Sequence, residues 1–134
     1  MSEKVVVVPC SGIGKVFGLL CREAALKVVT ELCPEDAETV CLAYLVTGDE
    51  EAKKRIEGKS CITVDGCAKM CAAKNVKLAG GIVKEEFKAV DAMRAHRGVN
   101  AGTATRLTED GWKIAGEFAE NIAEAVRKLR GEAN

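Results

Sequence analysis

The sequence predicts a single α/β domain: a three-layer, Rossmann-like arrangement of about four mostly parallel strands in the order 2-1-3-4, flanked by helices. Three observations predict it. Val5 to Val8 is an unbroken valine run closed by Pro9, the composition of a strand buried on both faces. A glycine-containing turn and a segment of helical period follow directly. Short β-compatible runs then alternate with helix-compatible ones to the end of the chain, and 134 residues fill one domain of ordinary size. Residues 1–134 are therefore expected to form one domain, closed by a C-terminal helix over 108–130.

Each element has a local reason. The first strand runs from Lys4 to Pro9 and turns through Cys10-Ser11-Gly12-Ile13-Gly14. A helix is expected from about Lys15 to Leu32, because Val16, Phe17, Leu20, Ala24, Val28 and Leu32 recur near three- and four-residue spacing while Arg22, Glu23, Lys27 and Glu31 mark a wet side. Cys33 and Pro34 end it. Thr39 to Leu45 reads as the second strand. Thr47 is the expected cap of a short helix ending near Glu57, with Gly58 as its stop. Ser60 to Val64 is the third strand, and Asp65-Gly66 turns into a helix from Cys67 to about Leu78. Ala79-Gly80-Gly81 ends that helix, and Ile82 to Phe87 is a fourth, more exposed strand. Residues 91–107 read as a loop with one helical turn. Thr108 caps the last helix, with Glu109 and Asp110 in its first turn and Trp112, Ala115, Phe118, Ile122, Val126 and Leu129 along one side. Its Arg127, Lys128 and Arg130 complement the negative end of the dipole.

Composition narrows the function. Twenty basic residues balance twenty acidic ones, so no net field draws in nucleic acid or an anionic membrane. No apolar run reaches the roughly 20 residues that span a bilayer, and the apolar N-terminal stretch is too short for a signal peptide. A cytoplasmic protein is expected. Seven cysteines is a high count without an export signal, which favours metal binding or thiol chemistry over a disulfide scaffold. With His96 as the sole histidine, thiolates must supply most ligands of any metal.

In a parallel sheet of order 2-1-3-4, ligands are expected at the carboxyl ends of the strands, between the first and third. Cys10 follows the first strand, Cys67 follows the third, and Cys41 lies toward the far part of the second. Cys71 sits one turn behind Cys67 on the same helix face. Unpaired N–H groups at a helix start favour a thiolate there. Four converging thiolates are the ligand set of zinc, or of a [2Fe–2S] or [4Fe–4S] cluster, although the spacing is not that of a zinc ribbon. Ser11 and Gly12 in the first turn, and Asp65 and Gly66 in the second, are candidates for contacting a bound group or small anion.

At these residues the sequence resembles a known family. Pro9-Cys10-Ser11-Gly12, Val40-Cys41-Leu42-Ala43 and Val64-Asp65-Gly66-Cys67, followed by Cys71-Ala72, are similar to the three cysteine blocks of the DGC-domain family. Its members are small prokaryotic proteins described as zinc-binding and named for their Asp-Gly-Cys motif. The likeness covers roughly residues 5–90, while the loop and long helix beyond Phe87 find no counterpart. The resemblance implies Cys10, Cys41, Cys67 and Cys71 as metal ligands, and it attaches no reaction.

Competing readings stay open. Cys10 could act as the nucleophile of a thiol redox or sulfur-transfer enzyme, attacking a disulfide, persulfide or electrophile, with Cys67 or Cys71 resolving it. Two phosphate-loop readings fail, since Pro9 and Val16 stand where a Walker A loop needs glycine and Ser or Thr, and Val16 stands where a cysteine phosphatase needs arginine. Cys21, Cys33 and Cys61 read as packing residues, with Cys61 reaching the site only if the third strand is offset. Asp65 reads as a helix cap ahead of a base or a supporting acceptor for a metal ligand. Arg94, His96 and Arg97 read as a solvated loop ahead of an anion clamp or a residue beside the metal. The last helix or this loop could also dock another protein or a second copy of the chain.

Overall fold

The structure, a computed structural model, describes residues 4–10, 16–40, 42–66, 71–103 and 105–133. Its elements in chain order are β1 (Val5–Pro9), α1 (Val16–Lys27), β2 (Ala37–Thr39), α2 (Leu42–Val46), α3 (Glu50–Ile56), β3 (Ser60–Asp65), α4 (Cys71–Leu78), β4 (Ile82–Lys88), α5 (Ala89–Arg94) and α6 (Glu109–Ala133). All strand pairings are parallel, in the order β2-β1-β3-β4. The expected α/β fold and strand order are therefore present.

Side-chain alternation decides what each face of the sheet meets. Val64 and Phe87 are in register, and Phe87 meets Phe118 of α6 edge-on, with ring centroids 6.2 Å apart. Cys61 points to the opposite face, where it converges with Ile56 of α3 and Val76 of α4 around Gly81. The sheet is thus a middle layer, with α1 and α6 packed together on one side and α3 and α4 on the other. Val6, Val7, Val8, Ile62 and Val64 are wholly buried, as a strand covered on both faces requires.

The second strand departs from expectation. Strand β2 is only Ala37–Thr39, and Leu42–Val46 is helical. The reason lies in the spacing: Leu42 and Leu45 are buried while Tyr44 and Val46 are exposed, a three-residue repeat that a strand would have placed on opposite faces. Helix α3 is capped by Asp49, whose carboxylate accepts the Ala52 N–H at 3.0 Å, and not by Thr47, whose hydroxyl turns back to the Tyr44 carbonyl. Helix α1 is prolonged by a π-helical turn over Val28–Leu32, closed by the Cys33 N–H on the Val28 carbonyl.

Residues 99–108 are tighter than the loop expected there. A bridge joins Gly102 to Leu107, Thr103 N–H donates to the Arg106 carbonyl, and Thr108 N–H donates to the Ala101 carbonyl. Gly102 has φ +125°, and a Cβ there would stand 2.2 Å from the Arg106 oxygen, so only glycine fits. The turn delivers Thr108 to the start of α6, where its hydroxyl accepts the Gly111 N–H at 3.0 Å. Helix α6 buries Ile114, Ala115, Phe118, Ala119, Ile122, Ala123 and Val126, whereas Trp112, expected on that face, is half exposed at the first turn. At its far end Arg130 meets Asp36 at 3.0 Å and Arg127 donates to the Leu32 carbonyl, so these cations tie the helix to the β2 side of the domain.

Asp65, at the end of β3, governs how α4 starts. Its two carboxylate oxygens accept the N–H groups of Ala72 at 2.7 Å and Ala73 at 3.2 Å, and the residue is 1% exposed. Burial pushes this carboxyl above its ordinary value of 3.8, while the two N–H bonds pull it back down.

Two predictions follow from these caps. Thr108→Ala should lower stability by about 1 kcal/mol and Asp65→Ala by about 2 kcal/mol or more, because the latter strands two buried donors; urea unfolding checks both. Since the folded Asp65 carboxyl titrates above the unfolded one, the native state holds the extra proton just above pH 3.8, and stability is lost as pH rises across that interval. Wild-type stability relative to Asp65→Asn should accordingly fall as pH rises there, and a flat difference would contradict the assignment.

Candidate functional site

The carboxyl edges of β1 and β3 meet through backbone first. Cys10 N–H donates to the Val64 carbonyl at 2.8 Å, extending the parallel ladder by one residue beyond Pro9. This places the Cys10 side chain at the Asp65-Gly66 turn, where its sulfur accepts the Gly66 N–H at 3.1 Å. Gly66 also lies against the start of α1. A Cβ on it would come within 3.3 Å of Gly18 N and 3.4 Å of both the Phe17 carbonyl carbon and the Cys10 sulfur. A side chain at this position would therefore crowd the point where three segments approach.

One cysteine that sequence reasoning had placed among packing residues enters here. Cys21, three residues beyond Gly18, is wholly buried on α1. Hydrogen bonding with the neighbouring Cys10, then burial, then the nearby charges of Cys10 and Asp65 push its thiol far above the ordinary range. The sequence signal for this was weak: Cys21 is one turn of helix past the glycine that lets the β3 turn approach.

The other candidates are placed as follows. Cys71 is exposed at the described start of α4, next to the Ala72 N–H that Asp65 holds. Cys41 and Cys67 lie outside the described residues, as do Ser11 and Gly12. Among the described residues no group of three or more His, Cys, Asp or Glu side chains is gathered to hold a metal. Gly66 spends its N–H on Cys10, and Asp65 spends both oxygens on the α4 cap.

Cys33 and Cys61 stand apart. The Cys61 sulfur faces the Lys59 carbonyl at 3.4 Å near the amino edge of β3, and burial pushes its thiol up to about 11. The Cys33 sulfur lies 3.8 Å from the Ala123 carbonyl beneath α6, and burial raises it too. His96 meets Glu117 of α6 at 2.6 Å, and Arg94 meets Asp91 at 3.1 Å. His96 and Glu117, with Phe87, Ile114 and Phe118, line a cleft of about 290 Å³ that none of the described cysteines borders. No helix among the described residues is long and apolar enough to cross a membrane.

Comparison with known proteins places this geometry in context. No curated protein matches the chain, and no solved structure does. The DGC domain matches it over residues 6–126, which extends the likeness past β4, through the Gly102 turn and along most of α6. The residues beyond Phe87, which had found no counterpart from motifs alone, are thus part of the same domain, and the chain belongs to the DGC-domain family.

Proposed function

We propose that this domain binds a metal through cysteine thiolates at the carboxyl edge of its sheet, with Cys10, Cys41, Cys67 and Cys71 as the ligands. The observation that supports it is the seating of the Cys10 sulfur on the Gly66 N–H. That contact brings the cysteine after β1 to the turn leading directly into the segment that carries Cys67 and Cys71, across 56 residues of chain. Asp65 then fixes where α4 begins, with Cys71 at its exposed start.

The donor set decides the metal class. Soft thiolates with one histidine in the whole chain, itself paired with Glu117, suit Zn²⁺ or an iron–sulfur cluster over hard cations that want oxygen. Zinc held by four protein thiolates has no open position and serves a structural or regulatory role; an iron–sulfur cluster on the same ligands would add electron transfer or sulfur handling. The protein's own part is to supply the thiolates in deprotonated form, which the Gly66 N–H promotes at Cys10.

That same N–H favours a second reading. A strand-end sulfur that accepts an N–H can serve as a nucleophile once deprotonated, and Cys10 attacking a disulfide, persulfide or electrophile with Cys67 or Cys71 as resolving thiol is the enzymatic alternative. It needs free thiols, which a bound metal would occupy.

Elemental analysis and the visible spectrum of anaerobically purified protein separate the readings. About one zinc per chain with no visible band fits the zinc centre, and iron with sulfide and broad visible absorbance fits the cluster. A metal-free protein whose Cys10 and Cys67 are readily alkylated fits thiol chemistry. Cys67→Ser should lower bound metal sharply while Cys33→Ser leaves it unchanged, because Cys33 lies under α6 away from the rim. Equal metal content in the two variants would rule out the ligand assignment.

A further inference from the structure

Trp112 is the only tryptophan of the chain and stands 54% exposed at the first turn of α6, an indole left at the surface of a helix whose other large apolar side chains are covered. It borders a groove of about 720 Å³ between α1 and the Gly102 turn, within the roughly 300–1,000 Å³ of small-molecule sites. Leu19 and Leu107, both buried, line it from the core side. The groove lies at the carboxyl edge of the sheet, where parallel α/β domains place their ligands. Gly18, next to Leu19, lies against the Gly66 turn that follows β3. Helix α6 runs from that edge as well, passing Phe87 near the end of β4 and finishing with Arg130 at Asp36, just ahead of β2. Three charged side chains also line the groove: Glu23 of α1, Arg106 of the turn and Glu109 of α6. None of the three has an ion-pair partner among the described residues, whereas Asp36, Glu86, Asp91 and Glu117 are each met by a basic side chain of this chain.

We propose that this groove binds a small zwitterion, a free amino acid or short peptide with an apolar side chain, its body against Trp112, its carboxylate on Arg106 and its ammonium toward Glu23 and Glu109. The charge pattern selects this class. A simple anion would meet two carboxylates for one guanidinium, and a simple cation would leave Arg106 unmatched, whereas a molecule carrying both charges answers all three side chains. The indole adds a flat apolar face for the ligand's side chain and attracts an ammonium through its ring. None of the described cysteines lines the groove, so its occupancy does not depend on what the thiolates hold.

Trp112 fluorescence reads occupancy directly, because no other tryptophan contributes. The full chain is titrated with leucine and with leucyl-leucine, which separate amino acid from peptide, and with the N-acetyl and C-terminal amide forms of each; calorimetry is the second readout. A saturable shift is expected with at least one of the two free zwitterions, and binding about tenfold weaker once either end is capped, the effect of losing one charge-assisted hydrogen bond. In Arg106→Gln the amide should bind as well as the free acid, and in the double variant Glu23→Gln with Glu109→Gln the acetyl form should bind as well as the free amine. Circular dichroism checks that each variant is folded. No saturable change with either zwitterion, or capped forms that bind wild type as tightly as the free ones, would overturn the proposal. An arginine-rich peptide that shifts the fluorescence while both zwitterions fail would also overturn it, and would make the groove a docking site for a basic partner.

Discussion

Everything at the functional edge of this domain depends on the buried Asp65 carboxylate and the two α4 N–H groups it accepts. A helix start leaves its first N–H groups without intrahelical partners, and in a dry interior each must be satisfied or the helix begins elsewhere. Asp65, the last residue of β3, accepts two N–H groups at the described start of α4, which ties the strand end to the helix. The next residue, Gly66, lies close against α1 and the Cys10 sulfur. Carboxylate and glycine together make the corner against which the first strand's cysteine is seated.

The buried sulfurs of this chain show how environment separates chemically identical residues. Cys33 and Cys61 each face a backbone carbonyl, and burial is the main cause that raises their thiols, leaving them small apolar residues with a weak donor. The Cys10 sulfur instead accepts the Gly66 N–H at the carboxyl edge of the sheet. Donors aimed at sulfur favour the thiolate, the form that binds metal and attacks electrophiles. The distinction is one of neighbours and could not be drawn from residue type.

The half of the domain that carries no candidate ligand serves to hold this edge in place. Helix α6 covers one face of the sheet, with Phe118 against Phe87, and its terminal arginines reach the Leu32 carbonyl and Asp36 at the far side. The Gly102 turn positions its capped start, and His96 clasps Glu117 from the loop after α5. Arg94 and His96, which with Arg97 raised an anion clamp in the sequence, meet Asp91 and Glu117 of their own chain. Their use inside the fold agrees with the family match running through this region.

The sequence by itself determined the layered α/β fold, the parallel strand order, the Thr108 cap and the corner at Asp65-Gly66. Those follow from local signals: a valine run, helical period, and turn residues whose geometry is set within a few positions. It carried the second strand, expected over Thr39 to Leu45, through residues that form the start of α2, because a short apolar run carries either period until burial shows which side chains are covered. Only the tertiary structure brought Cys10, the residue after β1, against the β3 turn, with the start of α1 beside them. Contacts between segments so far apart arise from how helices settle on a sheet, and no spacing within one segment encodes them.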